Sequence, residues 1–244
     1  MTTFFTEVRQ TLFPRGEVKH GPLPPLLVAM TLVTGLVDSF SYLVLGHVFV
    51  ANMTGNVVFL AFALAGAPGF SILASLVALG AFALGSLSGG LLGSHLGQHR
   101  GHLLSVAATL QTLLLTAAAV LAALSGNPVP AAYSYGLIIV LGIAMGLQNA
   151  AARKLAVPDL TTTVLTLTIV GIGSDSRLVG GSGSKAGRRL ISVVAMFVGA
   201  LVGSLLIFHV FIVYPLVIAL IVMAIVAVTA RVLSRTDPAW VRAS

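Results

Sequence analysis

One carboxylate of this chain, Asp38, falls inside an apolar run, some 12 residues past the start of that run at Leu26. A charge at that depth in a bilayer costs about 2.5–3.5 kcal/mol on insertion scales, so a partner, a proton or a water-filled cavity must accompany it. Asp38 is therefore the candidate for proton or cation coupling. The structural alternative is an ion pair with Arg153, or a hydrogen bond to Asn149 or Gln148. Two short segments also start with polar side chains: Asn52, Thr54, Gly55 and Asn56 precede or open one, and Asp159, Thr161, Thr162 and Thr163 open the other. Such side chains favour helix N-caps, and the free N–H groups at a helix N-terminus carry about half a positive charge. An anion or a polar neutral solute would be held there; the plainer reading is that Asn and Thr cap two buried helices and bind nothing. His95, His99 and His102 have spacings that one helix face would bring together. Without carboxylate neighbours they read as solvated loop residues, so neither metal nor cofactor is expected. His47 and His209 read as interfacial.

The elements that must position these residues follow from composition. With 57% hydrophobic and 8% charged residues, and a mean hydropathy of +1.07, a soluble domain of 244 residues would lack the polar side chains to cover its surface. The expectation is an all-α, polytopic transmembrane helical bundle. Apolar stretches of span length run over 26–45, 70–92, 103–124 and 131–149, and 190–232 holds two more that turn near Tyr214 and Pro215. The first 20 residues are mixed polar, so no cleaved leader is expected and the first span serves as its own anchor. With no cysteine there is no disulfide, thiolate metal site or redox motif. The net charge of +7 and the pI of 10.6 invite a nucleic-acid reading, but the basic residues lie between spans, where topology requires them. No nucleic-acid partner is expected. An intramembrane enzyme would need a nucleophile with its base, or a metal cluster, and Asp38 alone supplies neither.

Residues 54–66 and 160–173 are apolar but too short for an ordinary span. If both cross, there are eight spans, and Arg100, Arg153 and Lys154 fall opposite the other ten Lys and Arg. If neither crosses, six spans plus two half-helices place all 13 on the N-terminal side, which the positive-inside rule makes cytoplasmic. The six-span reading is preferred, with both termini cytoplasmic. It divides the chain into an N-terminal segment 1–23, a first membrane repeat 24–126, a second 127–234 containing a flexible basic loop 174–189, and a tail 235–244.

The repeat rests on the order of landmarks. Gly35–Gly46, Val50–Leu60 and Ala83–His95 are answered by Gly146–Val157, Val157–Leu167 and Phe197–His209, which sets Asp38 opposite Asn149 and Gly85 and Gly89 opposite Gly199 and Gly203. Three full spans per copy would turn the second copy upside down relative to the first, an inverted-topology repeat. Glycines mark the packing. Ala81, Gly85, Gly89, Gly93 and Gly97 recur every four residues, and Ala195, Gly199 and Gly203 repeat the theme, so these two spans are expected to cross each other closely inside one chain. Homodimerisation through the same face is the alternative.

The strings Gly35-Leu-Val-Asp-Ser-Phe-Ser-Tyr42, Val48-Phe-Val-Ala-Asn-Met-Thr-Gly-Asn56 and Gly146-Leu-Gln-Asn149 resemble the YoaK-like family of bacterial multi-pass membrane proteins, a domain of unknown function. The similarity extends through Asp175-Ser-Arg177 and the segment after it. The resemblance implies a bacterial inner-membrane protein and carries no substrate or activity. The residues themselves point to a transporter or channel for a small polar or anionic solute, with a midplane site between the two half-helix N-termini formed by Asp38, Asn52, Thr54, Asn56, Asn149, Thr161, Thr162 and Thr163. Its partners would be the lipid bilayer and that solute. A non-transporting membrane scaffold or stress-response interaction protein is the alternative.

Overall fold

The computed structural model of the chain describes residues 4–14, 19–160, 162, 165–175, 186–235 and 239–242. Among them the helices are α1 (Phe4–Leu12), α2 (Leu23–Val44), α3 (Met53–Leu64), α4 (Ile72–Leu96), α5 (Arg100–Ser125), α6 (Ala131–Leu155), α7 (Leu165–Ser174), α8 (Ala186–His209) and α9 (Tyr214–Leu233), followed by one 3-10 turn, Ala239–Val241. The architecture is all-α. Six of the helices, α2, α4, α5, α6, α8 and α9, are long and apolar enough to cross a membrane. The 12-residue α3 and the 10-residue α7 rise about 18 and 15 Å, short of the roughly 30 Å hydrocarbon core. The chain is an integral multi-pass membrane protein.

Two spans run further than their apolar stretches. α5 begins at Arg100, and α6 continues through Arg153 and Lys154 to Leu155. A basic residue in the last turn of a helix meets the negative end of its dipole, and its long stem can lie along apolar surface while the charge reaches water. Pro215 stands in the first turn of α9, where its missing N–H costs nothing.

Close glycine contacts fix the helix directions. Gly85 of α4 lies against Ile143 of α6, Gly89 against Leu147 and Ala150, and Gly93 against Lys154, so numbers rise together and α4 and α6 are parallel. Gly35 of α2 meets Met196, Gly199 and Ala200 of α8, and Gly203 meets Leu36 and Ser39, so α2 and α8 are parallel too. Gly101 at the start of α5 abuts Ser234 just past the end of α9. These pairs, α4 with α6, α2 with α8 and α5 with α9, are the three most extensive packings in the bundle. The expected mutual crossing of the two glycine-rich spans is therefore corrected: each glycine face receives a different helix. Spacing announces that some backbone comes close; shape decides which one.

Exchanging α2 with α6, α3 with α7, α4 with α8 and α5 with α9 carries the packings among these helices onto one another. The α4–α6 contact becomes α8–α2, α5–α6 becomes α9–α2, and α3–α4 becomes α7–α8. The short helix α3 starts and finishes near one end of the bundle. The chain before it, at Val50 and Ala51, reaches back to Asp38, six residues inside the end of α2, and the chain after it returns Gly69 to His47 with a 3.1 Å hydrogen bond.

At the opposite end, the chain's first and last described segments meet. The guanidinium of Arg100 is buried and donates to the carbonyls of Lys19 and Leu155 and to His20 Nδ1, joining the entries of α2 and α5 to the exit of α6. Glu7 of α1 accepts from the Gly187 N–H, one of the unpaired donors at the start of α8. Trp240, the one tryptophan of the chain, is buried against Gly21 and Gly101.

Burial, helped by the positive charges of Arg100, Arg188 and Lys19, holds the His20 imidazole below its ordinary value of 6.5. Its Nδ1 must stay unprotonated to accept from Arg100. A group whose folded value is depressed contributes stability that is complete above 6.5 and fades as the pH falls below it. We expect Trp240 emission to shift to the red, and the thermal midpoint to drop, between pH 7.5 and 5.5. A His20→Gln chain, whose amide oxygen can still accept from Arg100, should show a flatter profile; an identical profile would clear His20 of the effect.

Candidate functional site

Asp38 is 5% exposed, and its Oδ1 accepts the backbone N–H groups of Val50 at 3.1 Å and Ala51 at 2.9 Å. Positive φ at Gly46 and His47 turns the chain back after α2 and brings those donors down to the carboxylate. The loop is thereby satisfied at membrane depth, which is the condition for irregular backbone there. A cleft of about 310 Å³ opens beside it between α2 and α8, lined by Asp38, Ser39, Tyr42, Asn52, Met196, Ala200 and Ser204 among others. Arg153 is exposed at the other end of the bundle and forms no pair with Asp38. Two backbone donors occupy the position proposed for that cation.

Asn56, expected to face a solute, is fully buried. Its side-chain oxygen accepts from Phe49 N at 2.9 Å and its amide donates to Phe49 O at 2.6 Å, so it pins the loop to α3. Asn52 caps α3 by accepting from Gly55 N, and Thr54 is exposed. Stacked rings finish the job. Phe49 lies 4.9 Å from Tyr42 and 5.6 Å from Phe59, which packs 5.2 Å from Phe70.

A second, larger cleft of about 860 Å³ lies between α4 and α6, lined by Phe82, Ser86, Gly90, Asn149, Ala150, Arg153, Lys154 and Thr162, with others. In the correspondence read from the sequence, Phe82, Ser86 and Gly90 match Met196, Ala200 and Ser204, and Asn149, Ala150 and Arg153 match Asp38, Ser39 and Tyr42. The two clefts are thus walled by matching positions of the two halves. They do not converge on one cavity, which corrects the expected single site. Of the expected ligand residues, Asp38 and Asn52 line the first cleft and Asn149 and Thr162 the second. Thr161 and Thr163 lie outside the described residues.

A family model described as a protein of unknown function (DUF1275) matches residues 26–229. The chain belongs to this family. It is 36% identical over 154 residues to the UPF0700 transmembrane protein YoaK of Bacillus subtilis (strain 168), covering 62% of this chain and 65% of that protein, a little under two thirds of its length. No solved structure matches. For this DUF1275 chain, the site's chemistry therefore has to come from its own geometry.

Between the clefts sits a buried amide pair. Gln111 of α5 donates to Gln148 of α6 at 2.6 Å, and Gln148 donates to Thr34 Oγ1 at 2.9 Å and to the Met30 carbonyl at 3.3 Å on α2. This cluster, rather than any contact to Asp38, is where Gln148 is used.

Arg189, which the sequence reading left in a flexible basic loop, has a defined place in the structure. It donates to Asp159 at 2.8 Å and to Asp175 at 2.7 Å, one carboxylate from each side of α7. The hydrogen bond from Arg189 holds the Asp175 carboxyl below its usual range. Asp159, expected to open the second half-helix, instead takes a positive φ and this ion pair, and the described part of α7 runs over Leu165–Ser174. Two Asp residues bracketing the short apolar segment, with Arg189 downstream of both, were the available signal. We expect Thr168→Cys, buried in α7, to react with thiol reagents about tenfold faster when combined with Arg189→Gln, the change a local opening weakened by one such pair would give. An unchanged rate would show that the clamp does not hold α7.

Proposed function

We propose that this protein is a carrier, rather than an enzyme, for a small polar or anionic solute, built as an inverted-topology repeat in which α3 and α7 are half-helices entering from opposite sides. The observation that carries the reading is the pair of clefts walled by matching residues of the two halves, one toward each end of the bundle. Three parallel or antiparallel pairings that map onto themselves under exchange of the halves support it, as does the placement of each half's polar position, Asp38 or Asn149, six residues before the end of its helix. Carriers with inverted repeats expose such sites alternately by rocking one half against the other. Asp38, held by two N–H groups, is the coupling group that takes up and releases a proton or cation.

Orientation follows from charge. All ten Lys and Arg among the described residues lie toward the end where Arg100 meets Leu155. The positive-inside rule makes that end cytoplasmic, with both termini there, in a bacterial inner membrane.

The second reading, a membrane scaffold, is favoured by the buried amide cluster that ties α2, α5 and α6 together. Thiol labelling separates the two, since the chain has no native cysteine. Single cysteines at Asn52 and Thr162 should both react with an impermeant reagent, each from its own side of a sealed vesicle. If both stay protected from permeant and impermeant reagents alike, the interior is dry and the scaffold reading replaces transport.

A further inference from the structure

The two clefts are walled by corresponding positions but differ in charge. Where the α2–α8 cleft carries Tyr42 and Leu43, the α4–α6 cleft carries Arg153 and Lys154. Among the described residues neither cation has an ion-pair partner, and the described carboxylates at that end are engaged elsewhere: Asp159 and Asp175 with Arg189, and Glu7 with the start of α8. Two positive charges therefore stand over one cavity with no counter-charge among the described residues.

An independent observation lies deeper in the same cavity. Thr162 lines it, is 1% exposed, and its Oγ1 has no hydrogen-bond partner. A buried hydroxyl left unpaired is costly, and native structures rarely leave one so unless something else fills the place. The rest of the wall is largely apolar, with Phe82, Ala150 and the glycines of α4.

We propose that the α4–α6 cleft binds an organic oxyanion, a phosphate or carboxylate head on a small apolar body. Arg153 and Lys154 hold the head, the Thr162 hydroxyl donates to one of its oxygens, and the apolar body lies along Phe82 and the α4 glycines. This deepens the carrier reading by naming the class of solute taken up at the cytoplasmic-side station, while binding itself does not require that the protein transport. The same chemistry is presented by a soluble organic anion and by the headgroup of an anionic phospholipid.

The test is thermal stabilisation of the whole chain in nanodiscs, read against hexyl phosphate in phosphatidylcholine discs and, separately, against discs containing phosphatidylglycerol. Ligand bound to the folded state raises the midpoint with concentration. A rise with hexyl phosphate that Arg153→Gln and Lys154→Gln each weaken about tenfold to hundredfold in affinity supports the site with a soluble source. A rise seen only with phosphatidylglycerol and weakened by the same changes supports it with a lipid source. Thr162→Val should weaken either by about tenfold. Both cations are exposed, so the unliganded midpoint of the glutamine variants reports intact folding. No stabilisation from either probe, or stabilisation that survives the double glutamine change, overturns the proposal. Binding with a dry Asp38 cleft would leave this site standing and remove transport; labelled clefts without binding would do the reverse.

Discussion

Gly85→Ala is expected to destabilise the protein by about 3 kcal/mol or more, while Gly90→Ala, five residues along the same helix, should leave stability unchanged or slightly raised. A methyl at Gly85 would run into the Ile143 backbone, and nothing lies within 4 Å of a methyl at Gly90. Overpacking a close contact costs typically 1–3 kcal/mol and more when the obstacle is a backbone that cannot turn aside. Away from contacts, Gly to Ala in a helix gains up to about 1 kcal/mol. Gly199→Ala should behave like Gly85→Ala, because the Leu32 carbonyl occupies the corresponding place. Denaturation midpoints in one detergent decide the matter, and equal midpoints for the Gly85 and Gly90 variants would mean that the α4–α6 seam is looser than the structure has it.

Asp38→Ala is expected to cost about 2–6 kcal/mol, and Asp38→Asn much less. The alanine leaves the Val50 and Ala51 N–H groups without an acceptor inside the membrane, at about 1–3 kcal/mol each. Asparagine keeps an oxygen in the Oδ1 position and removes only the charge. The pair therefore separates two roles that one residue carries. In proteoliposomes, Asp38→Asn should retain the fold and lose the proton or cation dependence of solute uptake. If asparagine and alanine destabilise equally, the carboxylate does not hold the loop, and if Asp38→Asn takes up solute with unchanged pH dependence, it does not couple.

The spans were legible because an apolar run of about 20 residues has few other uses, and the glycine stripes because a four-residue spacing lines one helix face. Their partners were not legible. A stripe reports a close neighbour without naming it, so α4 and α8 were matched to each other when each takes a helix from the other half. The polar residues divide in the same way. Asn52 is the cap its type suggests, but Asn56 turns inward to hold Phe49, a choice fixed by a loop whose path depends on Asp38. In sequence Arg100 is one more basic residue between spans, and Arg189 part of a flexible basic loop. What holds each guanidinium is a pair of carbonyl or carboxylate oxygens from distant segments, and no local pattern announces them.

The parallel pairing of α2 with α8 also has a consequence in time. Gly199 emerges about 160 residues after Gly35, and at roughly 5–20 residues per second that interval is on the order of ten to thirty seconds. Throughout it α2 stands in the bilayer with its small-residue face turned to lipid or to whatever insertion factor shelters it, whereas α4 waits less than half as long for α6. The first span made is among the last to find its seat, so the bundle closes from its middle outward, and a chain arrested before α8 would be left with an open flank.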